Sequence, residues 1–108
     1  MRLNPLGPDT YLCCYAIGLA HLFAGKFEDA VVWCERAIKE DPNFISAYRV
    51  LASSLAHLGR LEDARATIAK VLTLQPNSTI ERAARAGYRQ PEHMAIWLDG
   101  LRKAGLPE

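Results

Sequence analysis

No excess of charge of either sign marks this chain: thirteen lysines and arginines stand against twelve aspartates and glutamates. That balance removes the basic footprint of a nucleic-acid binder and excludes an acidic or basic tail. No window approaches the ~20 consecutive apolar residues that cross a bilayer, and the opening MRLNPLGPDT lacks the apolar run of a signal peptide. Cysteine is scarce. Cys13, Cys14 and Cys34 are an odd set without Cys-x-x-Cys spacing, whereas a secreted scaffold of this size carries an even, denser set. The expectation is a small cytoplasmic domain with reduced, packed thiols, no membrane segment and no nucleic-acid partner. At 108 residues, half of them hydrophobic, there is room for one core but not for separate catalytic and regulatory domains.

What the sequence does contain is a period. Pro8, Pro42 and Pro76 stand 34 residues apart, each followed by Asp or Asn, and Gly25 and Gly59 repeat at the same step. Behind the glycines come two matching pentads, Lys26-Phe27-Glu28-Asp29-Ala30 and Arg60-Leu61-Glu62-Asp63-Ala64. Pro-Asx is a helix-start signal, because the Asx side chain accepts from the free N–H groups of a first turn. Gly is a stop signal, since it enters the left-handed region without penalty. Each unit is therefore expected to be a helix of about 15 residues, a Gly turn and a second helix of about 13. The apolar residues agree. Leu12, Tyr15, Leu19 and Leu22-Phe23 in one unit, and Phe44, Ala47, Tyr48, Leu51, Leu55 and Leu58 in the next, keep a three-four spacing; so do Ala30, Trp33, Cys34, Ala37 and Ile38, and Ala64, Thr67, Ile68, Val71 and Leu72. Small residues at Gly18, Ala52, Ala30 and Ala64 leave room for close helix approach.

This pattern resembles the tetratricopeptide repeat. Cys14, Ile17, Gly18, His21, Gly25, Phe27, Ala30, Cys34, Ala37 and Pro42 fall at the family's pattern positions in the first unit; Tyr48, Leu51, Ala52, Leu55, Gly59, Leu61, Ala64, Ile68, Val71 and Pro76 do so in the second. Cys14, His21 and Val71 depart from the residues the family prefers. The resemblance implies an all-α fold, with helical hairpins stacked as a short right-handed solenoid. Residues 1–7 are read as the end of a preceding repeat or a linker, 8–41 and 42–75 as two full repeats, and 76–108 as a degenerate third repeat with a capping helix. In that last unit Asn77-Ser78 are expected caps, Gly87 and Pro91 cut the first helix short, and Gly105-Leu106-Pro107 is a stop followed by a hydrophobe. The chain is also similar to the C-terminal repeat region of bacterial class III adenylate/guanylate cyclases, on the run Trp97 to Glu108, the opening Met1 to Leu6 and the stretch Gly18 to Leu22. That similarity implies a fragment acting as a non-catalytic regulatory module; a free-standing scaffold is the alternative.

The remaining candidates are few. His21, His57 and His93 are spaced by about one repeat, share no i, i+4 face and are not read as metal ligands. No cofactor is expected. Cys34 sits where the repeat wants a buried residue, and Glu28-Asp29 and Glu62-Asp63 complement helix dipoles rather than forming an acid-base pair. No nucleophile, base and orienter trio is visible, so the chain is not read as an enzyme. Stacked hairpins curve, and the resemblance implies that first helices line a concave groove for a helix or peptide of a partner protein. Its expected residues are Leu12, Tyr15, Leu19, Leu22 and Phe23, then Ser46, Arg49, Ser53, Ala56 and His57, with Tyr15 and Arg49 as anchors. Arg82, Arg85 and Arg89 form a separate basic stripe, a candidate for an acidic partner segment. With nothing packed ahead of the first hairpin, that end also favours homodimerisation.

Overall fold

In a computed structural model, which describes residues 10–86, 88 and 90–108, the chain forms six helices, α1 (Thr10–Phe23), α2 (Phe27–Glu40), α3 (Ile45–His57), α4 (Leu61–Leu74), α5 (Ile80–Ala86) and α6 (Pro91–Ala104). No strand occurs among the described residues. Expectations for Met1–Asp9, Gly87 and Arg89 lie outside that set. The four helices α1 to α4 are two antiparallel hairpins, and each helix packs on the next in sequence. In α1 the buried line is Cys14, Gly18 and Leu22; in α2 it is Ala30, Val31, Cys34 and Ala37; in α4 it is Ala64, Ile68 and Val71. Each follows the helical turn, so one face enters the core and the other meets solvent.

The turns follow the glycine signals. Gly25 and Gly59 have φ of 78° and 82°, a region that side chains with a Cβ avoid. The next N–H closes each end, Lys26 onto the His21 carbonyl at 2.8 Å and Arg60 onto Leu55 at 3.0 Å. Glu28, Asp29, Glu62 and Asp63 lie in first turns, as expected. The Pro-Asx starts work differently. Asn43 does not cap α3; its backbone N–H donates to Asp41 Oδ1 at 3.1 Å, and the helix begins two residues later. Nor do Asn77 and Ser78 cap α5: the Thr79 hydroxyl accepts from the Arg82 N–H at 3.1 Å. At α5 a threonine does the work predicted for Asn77 and Ser78, because what matters is an oxygen placed over the first turn, whereas α3 starts after Phe44 with no side-chain cap.

Gly18 allows α1 and α2 to approach. A Cβ there would come 2.8 Å from Cys34 Sγ and 3.3 Å from the Ala30 carbonyl oxygen. The core runs from Leu22 and Cys34 through Val50, Leu55 and Ile68 to Trp97 and Leu101. A smaller cluster of Cys14, Ala37 and Ala47 lies under Tyr11, Tyr15 and Phe44, whose rings meet edge to face near 5 Å. The three cysteines are free, with Cys14 and Cys34 buried.

The third helix is buried nearly all round, from Ala47 and Tyr48 through Val50 to Ala56. A helix of that kind has neighbours on every side. Those of α3 are α2, α4 and α6. The last unit is irregular: α5 is seven residues long and packs on α6, while α6 lies mainly along α3 and also reaches α1 and α4. Gly105, at φ 98°, stops α6, and the buried Leu106 follows. The chain end is then tied back, with the Ile80 N–H donating to the Pro107 carbonyl at 2.7 Å.

Candidate partner-binding surface

Several first-helix residues expected to face a partner are covered by the chain's own C-terminal segment. Ser53, predicted to face a partner, is fully buried: its hydroxyl donates to the Trp97 carbonyl at 3.0 Å. His57 Nε2 donates to the Ile96 carbonyl at 2.7 Å, and its ring stacks on Phe27 with centroids 4.6 Å apart. Those two carbonyls lie inside α6, so Ser53 and His57 grip its backbone rather than a partner. Ala56 is also buried.

The first-hairpin positions meet the same segment. Phe23 stacks face to face on His93 at 4.0 Å and meets Tyr88 edge-on at 5.0 Å, while Tyr88 packs on Trp97 at 4.9 Å. The hydroxyls of Tyr15 and Tyr88 lie 3.2 Å apart. Burial, followed by that shared hydrogen bond, raises the pKa of Tyr88 above the ordinary tyrosine range, so it stays a neutral packing group. Leu19 is half-buried against the core, and Leu22 is wholly inside it rather than on the groove. Leu12 alone among the named apolar positions is well exposed, at 43%. Phe23, Ser53 and His57 thus meet an internal occupant, the segment from Tyr88 into α6, that periodicity could not reveal, and Tyr15 meets it through Tyr88.

Arg49 remains at the edge of this covered region. It is half-buried and donates to Gln75 Oε1 at the end of α4. Arg82 and Arg85 of α5, read from the sequence as a separate stripe, line one cavity with it. Arg85 also pairs with Glu81 on the exposed side of its helix. Arg89, the third member predicted for the stripe, lies outside the described residues.

The two buried thiols are poor nucleophiles. Burial, with a smaller push from Glu35, raises Cys34 from an ordinary value of 9.0 to about 12, and burial also raises Cys14. Among the described residues no three His, Cys, Asp or Glu side chains converge as a metal site, and no helix is long and apolar enough to cross a membrane. The residue whose part sequence reasoning missed is Gly100. A Cβ there would come 2.7 Å from both the Ser53 Cα and its carbonyl oxygen, so the bare backbone of α6 lies directly on α3. The one available signal was a glycine inside an otherwise well-formed amphipathic helix.

Comparison with known proteins agrees with this architecture. No curated protein matches the chain. The tetratricopeptide-repeat family pattern matches residues 15–79, which run from the middle of α1 across both regular hairpins to the start of the last unit. That match covers more than half of the chain, so with its paired helices, glycine turns and small-residue seams the protein belongs to the tetratricopeptide-repeat family.

Proposed function

We propose that this chain is a non-catalytic module whose concave face recognises an amphipathic helix, and that α6 is its resident occupant. Repeats of this family mediate protein–protein interaction. The observation that carries the reading is the docking of α6: Ser53 and His57 hold its backbone while Phe23 and Tyr88 receive its aromatic side. A groove that accepts one helix in this manner has the shape and donors for another. The test is a Trp97→Ala chain, in which the resident helix is loosened, offered a labelled peptide of residues 90–108. The peptide should bind the variant at least tenfold more tightly than it binds the unaltered chain. Equal, negligible binding to both, with α6 shown by NMR to be undocked in the variant, would sink the reading.

Two finer statements belong to this proposal. On the similarity of its C-terminal run and opening, the module is the regulatory tail of a bacterial adenylate/guanylate cyclase-like signalling protein that works in the cytoplasm. An open frame running upstream from Met1 into a cyclase domain supports that; a stop codon immediately ahead supports a free-standing adaptor. The outer face of α1, with Leu12, Ala16 and Ala20 exposed on one side and no acidic or lysine or arginine residue, is a surface for a second copy. Sedimentation showing a monomer at tens of micromolar would exclude that dimer.

A further inference from the structure

Arg49 of α3 and Arg82 and Arg85 of α5, far apart in the chain, line a cavity of about 500 Å³ with Ile45, Gln75 and Trp97 among its other walls. Its hydrogen-bonding inventory is lopsided. No carboxylate is among the lining residues, and neither Arg49 nor Arg82 forms an ion pair among the described residues. The uncharged acceptor, Gln75 Oε1, already receives both Arg49 and the Ser78 hydroxyl. Trp97 is 4% exposed, and its Nε1–H is buried with no acceptor among the described residues, an arrangement that costs stability unless something supplies an oxygen. Burial lowers the pKa of Arg49, and the like charge of Arg82 pushes the same way. The cavity therefore concentrates positive charge with no carboxylate among its lining residues to answer it.

We propose that this cavity is a binding site for a side-chain carboxylate of an acidic partner segment, with Arg49 and Arg82 as its charge partners. The proposal rests on the protein-binding reading and names the chemistry of a partner. Arginine presents paired N–H donors that match a carboxylate, and part-burial strengthens the pairing. Ile45 and Trp97 add apolar wall beside the charge, which suits the methylenes of glutamate and a neighbouring aliphatic residue better than a bare inorganic anion. The site lies between the second hairpin and the irregular last unit, so α5 and α6 build it together with the repeats.

The experiment titrates the ¹⁵N-labelled full chain with acetyl-Glu-Leu-Glu-Leu-Glu-amide, whose blocked ends leave side-chain carboxylates as the only charges. The matched Gln-Leu-Gln-Leu-Gln peptide and inorganic phosphate serve as comparison probes. We expect the acidic peptide to move the Trp97 indole N–H resonance and to bind at least tenfold more tightly than either comparison probe. Arg82→Gln, at an exposed position, should weaken it tenfold; Arg49→Gln should do at least as much, Arg49→Lys less, and Arg65→Gln on α4 nothing. Equal binding of the Gln peptide, or an unaltered affinity in Arg82→Gln, overturns the proposal. Phosphate binding as tightly as the peptide overturns it in favour of a free-anion site. A silent Trp97 resonance overturns the cavity assignment but leaves the groove reading standing on its own test with the 90–108 peptide, and failure of that test with the acidic peptide bound does the reverse.

Discussion

Two seams in this molecule are built around a glycine, and they differ in what the glycine touches. At the α1–α2 seam a Cβ on Gly18 would meet first the sulfur of Cys34, the far end of a side chain. At the α3–α6 seam a Cβ on Gly100 would meet first the Ser53 hydroxyl oxygen and, behind it, the Cα and carbonyl oxygen of the same residue at 2.7 Å, backbone atoms that cannot turn away. Within the repeats, side chains adjust to one another. Between the repeats and the last helix, one backbone lies on another and two hydrogen bonds fix the register. The first seam should tolerate a methyl group at moderate cost, and the second should not tolerate it at all.

The heaviest blow to the second seam is Trp97→Ala, which removes a ring at 4% exposure that Tyr88 also packs against. Loss of a buried tryptophan costs about 4 kcal/mol, to be read as a lowered urea midpoint. Gly100→Ala comes next, at about 3 kcal/mol, with red-shifted Trp97 emission in a Trp33→Phe background as α6 lifts. Adding Ser53→Gly should give only partial rescue, because it removes the hydroxyl but leaves the Cα and carbonyl oxygen in place at 2.7 Å. Gly18→Ala should cost about 1.5 kcal/mol, and here Cys34→Ala should recover much of the loss, a coupling that a double-mutant cycle measures. If Gly18→Ala proves as damaging as Gly100→Ala, the contrast between the seams fails.

The smallest effect is one of pH. The Cys34 thiol is pushed up to about 12 in the folded chain, from 9.0. Its folded value is the higher one, so its contribution is complete below the unfolded value and is lost as pH rises from there towards 12. Between pH 9 and 10 the unfolded thiol ionises while the folded one does not, and stability should fall by about 1 kcal/mol relative to Cys34→Ala. Equal pH dependence in the two chains would show that the thiol is less buried than its place beside Gly18 implies.

The regular hairpins were legible because their information is local. A 34-residue step, a glycine at positive φ and a stripe such as Ala64, Ile68 and Val71 each report on residues a turn or two away. The docking of α6 was not legible, because its determinants are two hydroxyl or imidazole donors on α3 and a glycine more than forty residues later, which share no period. Ser53, expected on the groove, is fully buried with its hydroxyl on α6, and the neighbouring Ser54, also fully buried, turns its hydroxyl onto the Val50 carbonyl at 2.8 Å. The occupant of the Ser53 and His57 face was therefore hidden from the sequence. Arg49 and the arginine stripe of α5 were read as separate features, and only the fold joins them.

The hydrogen bond from the Ile80 amide to the Pro107 carbonyl closes residues 80 to 107 into a ring of backbone, held at its ends by one bond and at its middle by Trp97. Segments closed in this way open together rather than by fraying from the end. The exchange rate of that one amide proton with solvent then becomes a gauge of how often the last helix leaves the groove, and any ligand that steadies or displaces α6 should slow or hasten it.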